Sequence, residues 1–244
     1  MRDVRVSVCM AAYNGARYIR EQIDSVLAEL EPQDELVVVD DASRDGTADI
    51  LRGLDDPRVT VIARDRNRGY VRTFEEALSA ATGDIVMLAD QDDVWIPGRR
   101  ALFVSALADA DVAASNLVLL GSDAPLPHPL TRRPWRLRSD RSSHGRRNAL
   151  RILAGVAPYY GCAMAVRREA VGRILPFPPF LTESHDLWIA MFGNVHSSMR
   201  HIDEATIRRR LHDGNASPSR PRGLSAVLRA RFMLARAWLA ARRR

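Results

Sequence analysis

Lysine is absent from this chain: all 36 of its basic residues are arginine. A P-loop needs Gly-x-x-x-x-Gly-Lys-Ser/Thr to set a lysine on a phosphate, and that pattern occurs nowhere in the sequence. No Gly-x-Gly-x-x-Gly follows the first β-rich run either, so the usual P-loop and dinucleotide-binding mechanisms are excluded. Cysteine is almost as scarce. Cys9 and Cys162 lie far apart and are too few for a disulfide framework, so the expected setting is reducing and cytoplasmic. No apolar run approaches the ~20 residues needed to span a bilayer. Arg2, Asp3 and Arg5 interrupt what would be the apolar core of a signal peptide.

What is present describes a globular protein. The 244 residues are 46% hydrophobic, with a mean hydropathy of −0.20, and can bury a sizeable core. The net charge of +6 is unevenly spread. Acids gather in the first half, whereas 132–151 and 208–244 are strongly basic. That asymmetry suggests anionic ligands or anionic lipid near the C-terminal half, and on charge alone it also fits nucleic acid.

Along the chain, Val4–Met10, Leu36–Val39, Val59–Ala63 and Ile85–Ala89 read as strands. Helical stretches over Ala16–Leu30, from Asp45-Gly46-Thr47 onward, and around Phe74–Ala81 separate them. The alternation predicts an α/β fold with a doubly wound, mostly parallel sheet and helices on both faces. A helix over Arg99–Ala108 and a strand over Val112–Leu120 extend it. Residues 121–147, rich in proline and arginine, read as a long loop. Tyr159–Val166 then looks strand-like and Leu187–Phe192 helical. Residues 223–243 form a basic amphipathic helix with Leu224, Val227, Leu228, Phe232, Ala235, Trp238 and Leu239 on one face. That pattern suits a helix lying on a membrane surface, or one docked on its own domain or on a partner subunit.

The stretch Asp84–Trp95 ends a buried strand in a burst of carboxylates, Asp90, Asp92 and Asp93. Ligands of open parallel sheets bind beyond the carboxyl ends of the strands. Clustered acids repel unless a cation lies between them, and a hard, oxygen-ligated ion such as Mg²⁺ or Mn²⁺ suits this set. An acidic cap on the following helix is the plainer alternative. The first two strand ends offer Tyr13, Asn14, Asp41 and Ser43, an aromatic and polar set that could meet a base. In Asn67-Arg68-Gly69, Arg68 could meet a phosphate.

Taken in order, VSVCMAAYNG, VVVDDASRDGT, NRG, DIVMLADQDDVWIP, GCAMAVRR and ESHDLW resemble a family 2 glycosyltransferase with the GT-A fold. The DQDDVW and HD-x-W pieces are particularly similar to bacterial rhamnosyltransferase-type members. The resemblance spans about residues 4–215. It implies a glycosyltransferase domain over 1–215, with a nucleotide-binding half (1–120) and an acceptor-binding half (121–215), followed by a basic tail over 216–244. It places Ala11, Tyr13 and Asp41 at the nucleotide base. Asp90-Gln91-Asp92 falls on the family's Asp-x-Asp, with Asp92 as the direct metal ligand. Asp186 falls on the general base of inverting members. His212, in a late Leu-His-Asp-Gly-Asn motif, stands near the metal or diphosphate. Gly161, Cys162 and His185 fall to the acceptor or sugar side. Apart from the resemblance, Trp95 and Trp188 could stack on sugar faces, although a tryptophan is more often core than ligand.

The expected activity is therefore metal-dependent, inverting transfer from a nucleoside-diphosphate sugar to a saccharide or lipid-linked acceptor in surface polysaccharide synthesis. The setting would be cytoplasmic or peripheral on the inner membrane face, with an anionic membrane surface as a partner and no nucleic acid. A sugar-phosphate nucleotidyltransferase would need a glycine-rich, arginine- and lysine-bearing loop after the first strand, and Ala11–Gly15 is not one. A basic nucleic-acid- or membrane-binding module with a degenerate pocket is the non-enzymatic alternative.

Overall fold

The computed structural model describes residues 4–128, 131–212 and 223–244. Asp213-Gly214-Asn215, at the end of the late motif, and the boundary expected at 215/216 lie outside the described residues.

The first four strands form where apolar runs were read: β1 (Val6–Ala12), β2 (Glu35–Asp40), β3 (Val59–Ala63) and β4 (Ile85–Asp90). Between them lie α1 (Ile19–Leu27), α2 (Thr47–Arg52) and α3 (Tyr70–Ala80). Then follow β5 (Val94–Trp95), α4 (Arg99–Ala106), β6 (Val112–Leu119), α5 (Gly145–Ala154), β7 (Met164–Arg167), α6 (Arg168–Ile174), α7 (His185–Val195), β8 (Met199–Arg209) and α8 (Leu224–Ala241). All eight strands join one sheet in the order β3-β2-β1-β4-β7-β6-β8-β5.

Period-2 alternation sends successive side chains of each strand to opposite faces. Cys9, Val37, Val39, Val86 and Leu88 pack under α3 and α5–α8. Val8, Met10, Leu36, Val38 and Met87 pack under α1, α2 and α4. Both faces are thus covered, which is why the strands read as continuous apolar runs.

β1 pairs in parallel with β2 and with β4, and β2 with β3. β7 departs from that pattern, pairing antiparallel with both β4 and β6. Two antiparallel steps restore the direction, so β6 and its parallel neighbour β8 run the same way as β4. The carboxyl ends of β1, β2, β4, β6 and β8 therefore share one edge with the start of β7.

The strand expected over Tyr159–Val166 is shorter than its apolar pattern. Gly161–Ala163 form a turn of 3₁₀ helix, and pairing begins only at Met164. Among its described residues, the 121–147 stretch is anchored at Leu137. Buried Asn116 donates to the Leu137, Ile202 and Asp203 carbonyls at 3.1, 3.1 and 3.0 Å and accepts the Leu137 N–H at 2.7 Å. Both of its amide hydrogens are used and its oxygen accepts an N–H, so the irregular backbone around Leu137 is held without regular structure.

Arg99 lies fully buried between the sheet and the site-bearing turns. It donates to Thr206 Oγ1 at 2.5 Å and to the Cys162 carbonyl at 2.7 Å, with its guanidinium stacked 4.5 Å from the Trp95 ring centroid. Burial depresses its pKa to about 9, which leaves it charged at neutral pH. It fixes β8 against the Gly161–Ala163 turn.

Candidate active site

At the shared strand edge lies a cavity of about 430 Å³. The end of β1 supplies Ala11, Ala12 and Tyr13, and Asp41 follows β2. The segment after β4 supplies Asp90, Gln91, Asp92 and Asp93. Tyr160, Gly161 and Cys162 precede β7, Asp186 lies in the first turn of α7, and Arg209 ends β8. The acids expected at the strand tips thus meet around one space.

The nucleotide side is held by side-chain to backbone bonds. Gln91 links the β1 and β4 tips reciprocally: its Oε1 accepts the Tyr13 N–H at 2.8 Å and its Nε2 donates to the Tyr13 carbonyl at 2.9 Å. Asp41, 2% exposed, accepts the N–H groups of Arg68 and Gly69 at 2.9 and 2.8 Å and pairs with Arg64 at 2.8 Å. It therefore positions the loop whose Asn67 and Gly69 line the cavity. Asn14 and Ser43 do not line it. They knit the two loops together, Asn14 N–H to Ser43 Oγ at 2.9 Å and Arg44 N–H to Asn14 Oδ1 at 2.8 Å. The Arg68 side chain is likewise outside the lining. Arg64, which no motif marks, is the cation at Asp41.

Among the described residues, the ligand atoms that converge are carboxylate oxygens of Asp90 and Asp93 and the Cys162 Sγ, all within 4.8 Å of one another. The expected set of Asp90, Asp92 and His212 does not assemble in this way. Instead Asp92 Oδ2 and His212 Nε2 face each other at 2.7 Å, and His212 rests on Tyr18 with ring centroids 4.9 Å apart. The reason lies just past β8: the Arg210 N–H binds Asp93 Oδ1 at 3.0 Å and its Nε binds the Asp92 carbonyl at 3.0 Å, which turns Asp93 inward.

Burial and the neighbouring charges of Asp93 and Asp92 push the Asp90 carboxyl well up, and burial with Asp92 raises Asp93 to about 6. Asp93 Oδ2 is buried without a hydrogen-bond partner. An orphan oxygen among repelling carboxylates fits a hard divalent cation. Cys162 is kept as the neutral thiol by burial, so the carboxylates are the better ligands. Burial works against the charge of Arg209, but the neighbouring acidic groups, the carboxyls of Asp93 and Asp90 among them, outweigh it and hold the guanidinium charged.

Asp186 follows a strained turn and sits beside a close contact. Ser184 adopts a left-handed φ of 60° before α7, its N–H bound to Tyr70 Oη at 3.0 Å. Such strain in a non-glycine residue clusters at functional sites. A Cβ on Gly161 would stand 3.0 Å from His185 Nε2, so a glycine leaves room for this imidazole. Burial raises Asp186 to about 6 despite the Leu187 N–H donated to its Oδ1 at 2.8 Å. The same burial lowers His185 to about 3. Its neutral ring stacks on Phe74 at 4.2 Å, and neither ring nitrogen has a hydrogen-bond partner. One donor and one acceptor are thus available on a residue that lines the cavity, as a ligand hydroxyl requires.

Trp95 and Trp188 belong to the core rather than to a sugar-stacking surface. They are 3% and 0% exposed. Trp95 is pinned by pairing with Ile207, and Trp188 donates to the Ile174 carbonyl at 3.2 Å. No described residue of 121–147 lines the cavity. The loop approaches it through Trp135, edge-on to Tyr160 at 6.2 Å.

Glycosyl transferase family 2 matches the chain over residues 7–175, more than half its length. The chain belongs to this family. An uncharacterized glycosyltransferase of Nostoc sp. is 31% identical over 185 residues, 72% of this chain and 55% of that protein. A UDP-Glc:α-D-GlcNAc-diphosphoundecaprenol β-1,3-glucosyltransferase of Escherichia coli is 29% identical over 113 residues, 46% of this chain and 45% of that protein. The chain thus spans about half the length of these relatives. The S. aureus TarS 1–349 structure, in complex with UDP-GlcNAc, superposes with a TM-score of 0.71 at 19% identity, covering 96% of this chain and 66% of that one. That likeness shows the fold, GT-A, whose mostly parallel sheet carries the family 2 cavity at its carboxyl edge.

Proposed function

We propose that this family 2 chain transfers a sugar from a nucleoside-diphosphate donor to a saccharide or lipid-linked acceptor with inversion at the anomeric carbon. The observation that carries the reading is the meeting of Asp41, Asp90, Asp92 and Asp186 around one cavity of about 430 Å³, a size suited to a small ligand. The nucleotide belongs on the side of Ala11, Tyr13, Asp41 and Asn67, and the acceptor on the side of Tyr160, His185 and Asp186. A uridine or deoxythymidine diphosphate sugar is the proposed donor, in keeping with the uridine nucleotides of the E. coli relative and of the TarS complex.

The acceptor hydroxyl gives its proton to the Asp186 carboxylate as its oxygen bonds to the anomeric carbon. The bond from that carbon to the diphosphate breaks on the opposite face, and the diphosphate leaves with the electron pair. A base at about 6 is still ionised at neutral pH yet holds a proton better than an ordinary aspartate, which favours general-base catalysis. Arg209 supplies fixed positive charge where the leaving group gains negative charge. A Mg²⁺ or Mn²⁺ ion held by Asp90 and Asp93, with Asp92 beside them, would add Lewis-acid neutralisation of the diphosphate.

A panel of nucleoside diphosphates with and without Mn²⁺, read by thermal shift, tests the reading. Ligand at about 100-fold its Kd adds about 2.7 kcal/mol. Metal-dependent stabilisation by uridine or deoxythymidine diphosphate is expected. Absence of any such stabilisation across the panel would defeat the proposal.

A further inference from the structure

Among the described residues, nothing covers one face of α8. Met233, Leu234, Ala237 and Ala241 pack into the core beside α7 and α5. Leu224, Leu228, Phe232 and Leu239 stand out at 76%, 61%, 69% and 50% exposure. Spaced at four, four and seven residues, these four share one stripe of a 3.6-residue helix, opposite the docked face. The apolar face read from the sequence is thus mostly the exposed one, whereas Met233, Leu234, Ala237 and Ala241 on the opposite face do the docking. Exposed Arg229 and Arg236 run along one flank of the stripe, and Arg242 and Arg243 lie at its end. From Leu224 to Arg244 the chain carries arginines at 229, 231, 236, 242, 243 and 244 and no acidic residue.

A groove of about 560 Å³ separates this helix from the segment holding Phe180, Thr182 and Glu183, with Arg229 and Arg236 on its α8 wall. The Arg236 guanidinium lies over the Phe180 ring, 4.2 Å from the centroid. The same segment continues into Ser184, His185 and Asp186 of the cavity. The uncovered face and the acceptor side of the site are therefore joined by a few residues of backbone.

We propose that this face of α8 docks on an anionic lipid bilayer. The leucine and phenylalanine stripe enters the headgroup and acyl boundary, and the arginines meet lipid phosphates. Charge complementarity selects this occupant. A second copy of the chain would set arginine border against arginine border. A nucleic acid would satisfy the arginines but leave four large apolar side chains in water. An anionic bilayer satisfies both, as for interfacial amphipathic helices. No described helix is long and apolar enough to cross a membrane. The proposal rests on the transferase reading for its purpose, bringing a lipid-linked acceptor to Asp186, though not for its geometry.

Flotation of the full chain with vesicles tests it, using phosphatidylcholine alone or mixed with phosphatidylglycerol. Binding to the mixed vesicles, weakened by salt, is expected. L228E/F232E should abolish it, and R229E/R236E should weaken it roughly tenfold or more. These positions are exposed, so both variants should keep the thermal shift given by uridine diphosphate and Mn²⁺. Failure to bind mixed vesicles, equal binding by L228E/F232E, or a dimer in light scattering that L228E/F232E dissolves would each overturn the proposal. Lost nucleotide stabilisation with intact vesicle binding would instead count against the transferase reading.

Discussion

Replacing Asp186 by asparagine should move activity and stability in opposite directions. The substitution keeps the side chain's shape, and its amide oxygen can still accept the Leu187 N–H that now reaches Oδ1 at 2.8 Å. It removes the proton acceptor, so transfer should fall by ~10²–10⁴-fold, about 3–5 kcal/mol of barrier. Burial raises the folded-state carboxyl from 3.8 to about 6. A raised value in the folded state means that the ionised form opposes folding. Its stabilising contribution is complete below the unfolded value and is lost as pH climbs through about 6. The shift corresponds to roughly 3 kcal/mol as a ceiling. Because the carboxyl faces the cavity, about 1–2 kcal/mol is a fairer figure.

Asp186→Asn should therefore melt roughly 3–6 °C above the parent at pH 7.5, with the two curves converging toward pH 4. The parent's transfer rate should rise through about pH 6 and level off above it, and the variant should lose that limb. Calorimetry across pH, single-turnover transfer and nucleotide titration together read all three outcomes. A variant that transfers sugar at the parent's rate would refute the base assignment. A variant less stable than the parent at pH 7.5 would refute the burial argument beneath it.

Asp93→Asn should erase the Mn²⁺-dependent part of the thermal shift given by uridine diphosphate, because it removes one of the two converging carboxylates; an unchanged metal response would move the cation elsewhere. Arg64→Met leaves Asp41, 2% exposed, without its cation and should cost about 3–5 kcal/mol in denaturant unfolding, with weaker nucleotide binding as the Asn67–Gly69 loop loosens. Gly161→Ala places a methyl 3.0 Å from His185 Nε2 and should lower the transfer rate while leaving nucleotide binding near normal; equal loss of both would show that the two halves of the cavity are not separable.

The parts of this molecule that could be read from its residues are those whose signal is local. Leu36 to Val39 and Ile85 to Ala89 are buried on both faces, so the apolar run itself announces the strand, and an acid at its end announces the edge. Asp41 and Asp90 could be named for that reason, Asp186 through its motif, and each lines the cavity. Trp95 and Trp188 stayed open between core and ligand because an aromatic beside a motif looks the same whether it faces a sugar or a sheet. Only the pairing of Trp95 with Ile207 and the 0% exposure of Trp188 decide the matter.

Gly161, Cys162 and His185 of the acceptor wall could be named through their motifs, but the rest of that wall was illegible for a different reason. Tyr160, Phe74 and Arg209 come from three distant segments, and they meet because β7 runs against its neighbours and brings its start to the edge where β8 ends. No periodicity in a four-residue strand records its direction. Arg209 looked like one arginine in a basic run, yet it sits against Asp90 and Asp93 with its ring partner Tyr160 at 5.1 Å. The chemistry of the cavity thus depends on a topological reversal that hydrophobic patterning does not encode, which is why its carboxylates could be found along the sequence and its cation could not.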